Sequence, residues 1–189
     1  MIVNSHNDWD PLEEIIVGHA HHSRIATDIS ARSFSYANFK KEDVEKLEGT
    51  YPQWVIDEAN EDADGLAKAL EDLGVIVHRP KIIDWDKKNY DIGQGWNTKG
   101  WYSWCPRDLI LPLGDMLIET PTPVRARYFE TRLYEDIMYE AFEDGALWMS
   151  APKPKLHDDM YTFEDIENKP TLLDHEICFD APNIVRVGT

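Results

Sequence analysis

The sequence contains little cysteine and few basic residues. Cys105 and Cys178 are the only two cysteines among 189 residues, too few for a disulfide framework, so a reducing compartment is expected. Lysine and arginine number 19 against 36 aspartates and glutamates, which gives a formal net charge of -17. A surface this acidic repels nucleic-acid phosphates and anionic lipids. We therefore expect no nucleic acid and no membrane among the partners, and we expect small cations to be attracted.

Long apolar segments are also missing. No run approaches the roughly 20 residues that cross a bilayer as a helix. Residues 1–10 lack the basic and apolar regions of a secretory signal. These features predict a cytoplasmic protein.

Metal-binding patterns are weak. His19, His21 and His22 form the only histidine cluster, and a site would need a further ligand such as Asp8 or Asp28 to converge on them. We interpret the three histidines as solvated loop residues. Neither a metal nor a cofactor is expected.

What the sequence does contain is typical of a folded domain, with 42% hydrophobic and 11% aromatic residues. Helical periodicity predicts helices over 54–73 and 126–143, and Gly74 and Gly145 follow them as C-terminal caps. Pro112 favours an edge position for its strand. Four short apolar segments are predicted as strands, with a hairpin turn between the last two: 12–18, 74–80, 108–114 and 116–121.

Parts of the chain repeat. The helix–glycine–strand pattern at 66–80 returns at 137–152, and the strand pattern at 108–114 returns at 183–188. A period of roughly 70 residues predicts ββαβ units arranged radially, which is an α/β propeller. Because a third unit would contain only its opening strand, the sequence predicts the N-terminal part of a larger propeller domain. The predicted units are about 8–80, about 104–155, and the start of a third at about 176–189.

Five ordered segments resemble the amidinotransferase family, whose best-known members are the arginine:glycine amidinotransferases. They are NDWDPLEEIIVG at 7–18, YSWCPRD at 102–108, ETR at 130–132, APKP at 151–154 and CFDA at 178–181. The resemblance covers nearly the whole chain. It implies a pentein fold, in which five ββαβ blades surround a channel with the active site, and this chain supplies about two and a half blades.

The resemblance also implies a covalent chemistry. A cysteine thiolate attacks the guanidinium carbon of L-arginine, ornithine leaves, and an amine acceptor, expected to be glycine, takes the amidino group from the amidino-cysteine. Paired carboxylates suit this substrate, because guanidinium presents its donors in a planar fork. The nucleophile has to be a thiolate.

Three residues match the family's site. Asp108 and Tyr102 correspond to substrate-binding positions, and Asp180 corresponds to a catalytic aspartate associated with the family's histidine. The family usually reads D-A-A-D at this point, and Asn183 replaces the second acid here. The family's catalytic histidine and cysteine match no residue of this chain, so the isolated chain is expected to be inactive.

From the residues alone, other roles stay open. Asp108 could cap a turn at the start of its strand, and Tyr102 could pack with Trp96, Trp101 and Trp104. Neighbouring tryptophan and proline indicate that the first cysteine is a packed thiol and not the nucleophile. The second cysteine is interpreted in the same way.

Two functions are therefore predicted. In the first, the chain is the N-terminal portion of an arginine-using amidinotransferase, with a C-terminal half or a homodimer as its protein partner. In the second, it is a non-catalytic half-propeller remnant that binds an arginine-like cation or a protein partner. A severed propeller exposes an unpaired strand edge and would dimerise or aggregate.

Overall fold

The computed structural model describes residues 1–36, 39–91, 93–162 and 171–188, which form a mixed α/β structure with short strands. The α-helices in these ranges are α1 (Ile29–Ser35), α2 (Lys41–Glu45), α3 (Gln53–Asp72), α4 (Pro106–Leu109) and α5 (Glu135–Glu143). The strands in the same ranges are β1 (Glu14–Ile16), β2 (Arg24–Ile25), β3 (Gly49–Thr50), β4 (Ile76–His78), β5 (Tyr90–Asp91), β6 (Asn97–Thr98), β7 (Ile110–Leu113), β8 (Met116–Glu119), β9 (Leu147–Ser150), β10 (Tyr161–Thr162) and β11 (Thr171–Leu172).

A strand–helix–strand topology occurs twice. β1 pairs in parallel with β4, and α3 is the helix that leads into β4. β8 pairs in parallel with β9, and α5 is the helix that leads into β9. β7 joins β8 through an antiparallel hairpin and lies at the edge of the sheet, as its proline predicts. The repeated sequence pattern therefore corresponds to a repeated topology, while the bounds of propeller blades stay a prediction.

The two leading helices end in the same way. After α3, the amides of Gly74 and Val75 donate to carbonyls of the last turn at 2.9 and 3.0 Å. After α5, the amides of Gly145 and Ala146 do so at 3.0 Å each. The two glycines have φ of 87° and 104°, in the left-handed region that glycine adopts without steric cost. The predicted C-terminal caps are confirmed.

The helix predicted over 126–143 is only half right. Its second half is α5, but its first half consists of two 3-10 helices, Arg125–Arg127 and Glu130–Leu133. The side chains of Arg125, Arg127 and Glu130 are buried there. Each needs polar partners at a fixed position. Arg127 and Glu130 pair with each other within the segment, and Arg125 pairs with Asp158 from elsewhere in the chain.

Two predicted strands are also corrected. The strand predicted over 108–114 begins at Ile110, because Pro106 opens the first turn of α4 and thereby places Asp108 in a helix. The strand predicted over 183–188 is wrong. Ala181–Asn183 is a 3-10 helix, and Val187 makes an isolated antiparallel bridge with Asn7.

The main core lies where the β7–β8–β9 sheet packs on α5. Its buried members include Trp85, Leu109, Leu117, Leu133 and Met138. Leu109 is fully buried, so α4 and the aspartate beside this leucine are fixed on the core.

Helices long and apolar enough to cross a membrane do not occur in the described ranges.

Candidate active site

The motif at 102–108 is held by contacts with the segment that follows β1 and with Tyr134. The Ser103 carbonyl accepts hydrogen bonds from the His19 amide at 3.2 Å and from the Tyr134 hydroxyl at 3.4 Å. Gly18 lies so close that a Cβ on it would be 2.3 Å from the Ser103 oxygen. Only glycine fits this approach, so Gly18, which lies two residues after the end of β1, helps to position the motif.

Asp108 forms an ion pair with a buried arginine. Arg127 donates from Nη1 to Oδ2 of Asp108 at 2.5 Å. The Arg127 side chain is 4% exposed, whereas that of Asp108 is 26% exposed. Among the described residues, none hydrogen-bonds to Oδ1 of Asp108. This oxygen is therefore available to accept a hydrogen bond from a ligand.

Glu130 holds the other side of the arginine. Arg127 donates from Nε and Nη2 to the two carboxylate oxygens of Glu130, at 2.7 and 3.0 Å. Burial raises the pKa of Glu130 to about 7, against the opposing effect of the Arg127 guanidinium. Burial of Arg127 disfavours its charge, but the Glu130 carboxylate more than compensates and raises the pKa of Arg127. The arginine thus stays charged inside the protein.

Tyr102 lies between this arginine and the aromatic cluster. Its ring centroid is 4.9 Å from the guanidinium carbon of Arg127, within the range of a cation–π contact. The ring also stacks on Trp104, with centroids 4.6 Å apart and 9° between the planes, and it contacts Trp101 at 4.8 Å. Packing of Tyr102 with Trp101 and Trp104 is confirmed, whereas the ring of Trp96 packs on Tyr128. Contact with a substrate stays a prediction.

Asp180 joins the same group of charges. It immediately precedes the 3-10 helix Ala181–Asn183, which packs on α4. Burial, together with the charge of Asp108, raises the pKa of Asp180. The charge of Arg127 and a hydrogen bond from Thr122 act in the opposite direction without cancelling this increase. Its buried Oδ1 has no hydrogen-bond partner in the described part of the chain. The structure therefore brings the two predicted acids, Asp108 and Asp180, into one electrostatic cluster.

Sequence reasoning missed half of this cluster. Glu130 entered only as part of a motif, and Arg127 was given no role. The available signal was an arginine and a glutamate three residues apart in a segment rich in apolar and aromatic residues, where buried charges have to pair.

Both cysteines are partly buried and free. Burial, followed by the charge of Asp108, raises the pKa of Cys105 to about 11. Burial, followed by the charge of Glu176, raises the pKa of Cys178 to about 11. A thiol with such a pKa is almost entirely protonated at neutral pH, in agreement with the interpretation of both as packed thiols.

The histidine cluster has the predicted environment only in part, because His21 and His22 are exposed but His19 is not. His19 is buried, at 3% exposure, which contradicts its interpretation as a solvated loop residue. The cause is the contact of its backbone with Ser103, which draws residue 19 under the motif at 102–108. Burial lowers the pKa of His19 to about 4. In the described ranges, no group of three or more histidine, cysteine, aspartate or glutamate residues could hold a metal ion.

Known proteins resemble this chain over its whole length. Inosamine-phosphate amidinotransferase 1 of Streptomyces griseus is 41% identical over 191 residues, which cover all of this chain and 54% of that protein. The mitochondrial glycine amidinotransferase of Xenopus laevis is 33% identical over 199 residues, covering 98% of this chain and 47% of that protein. No protein-family profile matches the sequence.

Solved structures agree. The Streptomyces griseus inosamine-phosphate amidinotransferase StrB1 matches with a TM-score of 0.88 at 39% identity, covering 99% of this chain and 53% of that one. SxtG, an amidinotransferase from Microseira wollei in a saxitoxin biosynthetic pathway, matches with a TM-score of 0.85 at 33% identity, covering 98% and 52%. The chain spans about half the length of the relatives it matches. It is related to the amidinotransferases and corresponds to the N-terminal half of those proteins.

Proposed function

We propose that this chain supplies the arginine-binding part of an amidinotransferase. Asp108 carries the proposal, because its carboxylate is fixed by a buried arginine through one oxygen and keeps the other oxygen for a ligand. Asp180 adds a second carboxyl with an unpartnered oxygen in the same cluster. Two such acceptors suit the planar donor fork of a guanidinium. Tyr102 is assigned to the wall of the substrate pocket.

In the proposed reaction, a cysteine thiolate adds to the guanidinium carbon of L-arginine. The bond from this carbon to the side-chain nitrogen of ornithine breaks, and ornithine leaves with a proton from an acid. An amine then attacks the amidino-cysteine and expels the thiolate. The carboxylates of this chain keep the guanidinium protonated and oriented, which its carbon requires to be electrophilic.

The nucleophile is assigned to the part of the fold that corresponds to the other half of the relatives. The thiols of Cys105 and Cys178 are unsuitable because their pKa values are raised. The two strand–helix–strand units support a half-propeller of the pentein type, with blades near 8–80 and 104–155 and a third beginning near 176. The names of relatives support both glycine and an inosamine phosphate as the acceptor amine.

Titration calorimetry with L-arginine tests the proposed role of the carboxylates. The wild-type chain should bind arginine, and Asp108→Asn should weaken binding about tenfold or more, because a charge-assisted hydrogen bond is lost. Asp72→Asn, which removes an exposed acid of α3 paired with Lys68, serves as the control and should leave the affinity unchanged. Equal affinities in all three proteins would contradict the proposal.

The alternative is a non-catalytic remnant that binds an arginine-like cation or a protein partner. It is favoured by the combination of a cluster of acids with two thiols whose pKa values are raised. Ornithine release from arginine separates the two functions. The chain alone should release none, and the chain co-expressed with the C-terminal half of the Streptomyces griseus relative should release it. Arginine binding without any release in the co-expressed pair would support the remnant.

A further inference from the structure

Arg127 is fixed in both position and rotation. Nε and Nη2 bind the two oxygens of Glu130, Nη1 binds Asp108, and Nη2 also reaches the Cys105 carbonyl at 3.2 Å. The Tyr102 ring flanks the guanidinium carbon at 4.9 Å. Because the guanidinium is planar and rigid, these contacts leave it one orientation.

This fixed cation determines how Asp108 presents its carboxylate. A free aspartate side chain rotates about two bonds, and its carboxylate plane is broadly distributed. The bond from Arg127 to Oδ2 restricts both rotations, so Oδ1 is held at one place. A planar ligand gains from such an acceptor only if the orientation is set before it binds.

Glu130 keeps this arrangement attractive to a cation. An arginine paired with Asp108 alone would cancel its charge and compete with a cationic ligand. Glu130 is 1% exposed and takes two of the hydrogen bonds of Arg127, so it offsets the charge of the arginine locally. Asp180 adds a further acid to the cluster. With its acids ionised, the cluster therefore has more negative than positive groups.

We propose that Arg127 and Glu130 are positioning residues for guanidinium recognition: Arg127 orients the carboxylate of Asp108, and Glu130 fixes Arg127 and offsets its charge. The inference rests on the proposed assignment of Asp108 to the arginine guanidinium. It differs from a purely structural ion pair in one measurable way. An oriented Asp108 carboxylate favours the planar donor fork of arginine over the point charge of lysine. The orientation therefore controls the preference for L-arginine over L-lysine.

The first test is Arg127→Lys, which keeps a charge but loses the fork. Calorimetry should show arginine binding weakened about tenfold, while the weaker binding of L-lysine changes little, so the ratio of the two affinities falls. Arg125→Lys is the matched control, because Arg125 is also buried in the same 3-10 helix but binds the Leu156 carbonyl and Asp158. Its ratio should equal that of the wild type. An equal ratio in the two variants, both folded by circular dichroism, would overturn the proposal.

The second test separates charge from orientation. Glu130→Gln keeps the shape of the side chain and removes its charge, so Arg127 then opposes any cation at Asp108. Arginine and lysine binding should both weaken, with their ratio largely kept. Unchanged affinities for both ligands would overturn the charge part of the proposal.

A third measurement does not depend on ligand binding. It applies if one of the single variants does not fold, or if the chain binds arginine too weakly to measure. Arg127→Met with Glu130→Met removes both charges of the buried pair, an exchange that proteins often tolerate. Its crystal structure should show the Asp108 carboxylate turned from its wild-type orientation, and the same orientation would overturn the proposal. Failure of this inference can be distinguished from failure of the proposed function. If the proposed function were wrong, Asp108→Asn would bind arginine as the wild type does, whatever the orientation of Asp108 in the other variants.

Discussion

At the scale of single residues, Asp180 has an acceptor that the described structure does not satisfy. Its buried Oδ1 lacks a partner, and burial raises its pKa. Leaving a buried acceptor unpaired costs about 1–3 kcal/mol. Such a cost is characteristic of a functional position, and a guanidinium that donates to this oxygen would remove it.

The two thiols give a prediction with a clear sign. The pKa of both Cys105 and Cys178 is raised to about 11, and only the thiolate reacts with iodoacetamide. At pH 8 each should react about 100-fold more slowly in the folded protein than in urea, since the reference thiol has a pKa near 9. The rate in the folded protein should increase about tenfold per pH unit until the pH approaches 11.

Mass spectrometry of the alkylated peptides measures the two sites separately. The chain in urea is the control for intrinsic reactivity. If Cys105 in the folded protein reacted as fast as in urea at pH 8, its thiolate would be stabilised, and its exclusion as a nucleophile would be wrong.

The sequence identified the acids of the site but not their partners. Asp108 and Asp180 stand in short motifs, so matching to a family locates them, and the structure brings them together. The spacing of Arg127 and Glu130 was visible in the sequence, but the contact of Arg127 with Asp108 joins α4 to a later 3-10 helix, which local patterns do not report. His19 was misjudged for the same reason, because its burial results from a contact with Ser103 far along the chain.

At the scale of elements, a helix stabilised by local interactions was predicted more accurately than elements stabilised by packing on distant parts of the chain. The long helix α3 was predicted within one residue at each end, because apolar periodicity and a glycine cap act locally. The predicted strands over 108–114 and 183–188 ran into the end of the short helix α4 and into the last residue of the 3-10 helix Ala181–Asn183. Both helices begin at a proline turn and are stabilised by packing on each other, which a pattern of apolar residues does not distinguish from a strand.

Gly18 connects two elements, and its replacement provides a test. A Cβ on Gly18 would lie 2.3 Å from the Ser103 oxygen and 2.5 Å from the Cα of Trp104, so backbone would have to move. Gly18→Ala should lower the free energy of unfolding by about 3 kcal/mol, as overpacking does. Displacement of the motif at 102–108 should also weaken arginine binding. Urea denaturation and calorimetry measure the two effects.

Gly65→Ala is the matched control. Gly65 lies within α3, and nothing is within 4 Å of the position of its missing Cβ. Alanine is the better helix former, so this variant should gain about 1 kcal/mol and bind arginine normally. If Gly18→Ala were as stable as the wild type, the close approach of Gly18 to the motif would not be what positions the site.

At the scale of the whole molecule, two surface properties oppose each other. The formal charge of -17 keeps copies of the chain apart at neutral pH. Large apolar side chains are nevertheless exposed, among them Ile177 at 81% and Val187 at 74%. Val187 pairs only through an isolated bridge with Asn7, so no sheet of the described residues covers its side chain. The charge therefore determines whether this apolar segment associates.

Acidification should reverse the balance. Near the sequence pI of about 4.6 the repulsion disappears, so the chain should be monomeric at pH 8 and self-associate as the pH approaches that value.

Ile177→Glu with Val187→Glu should reduce this association. Leu66→Glu with Leu73→Glu adds the same charges at two exposed leucines, one in α3 and one at its C-terminal end. This pair should reduce association less, because the two leucines lie outside the exposed apolar segment at 177–187. Light scattering coupled to size-exclusion chromatography at pH 8 and pH 5 distinguishes these outcomes. Equal effects of the two pairs would mean that net charge alone controls association, and that the segment at 177–187 is not an interaction surface.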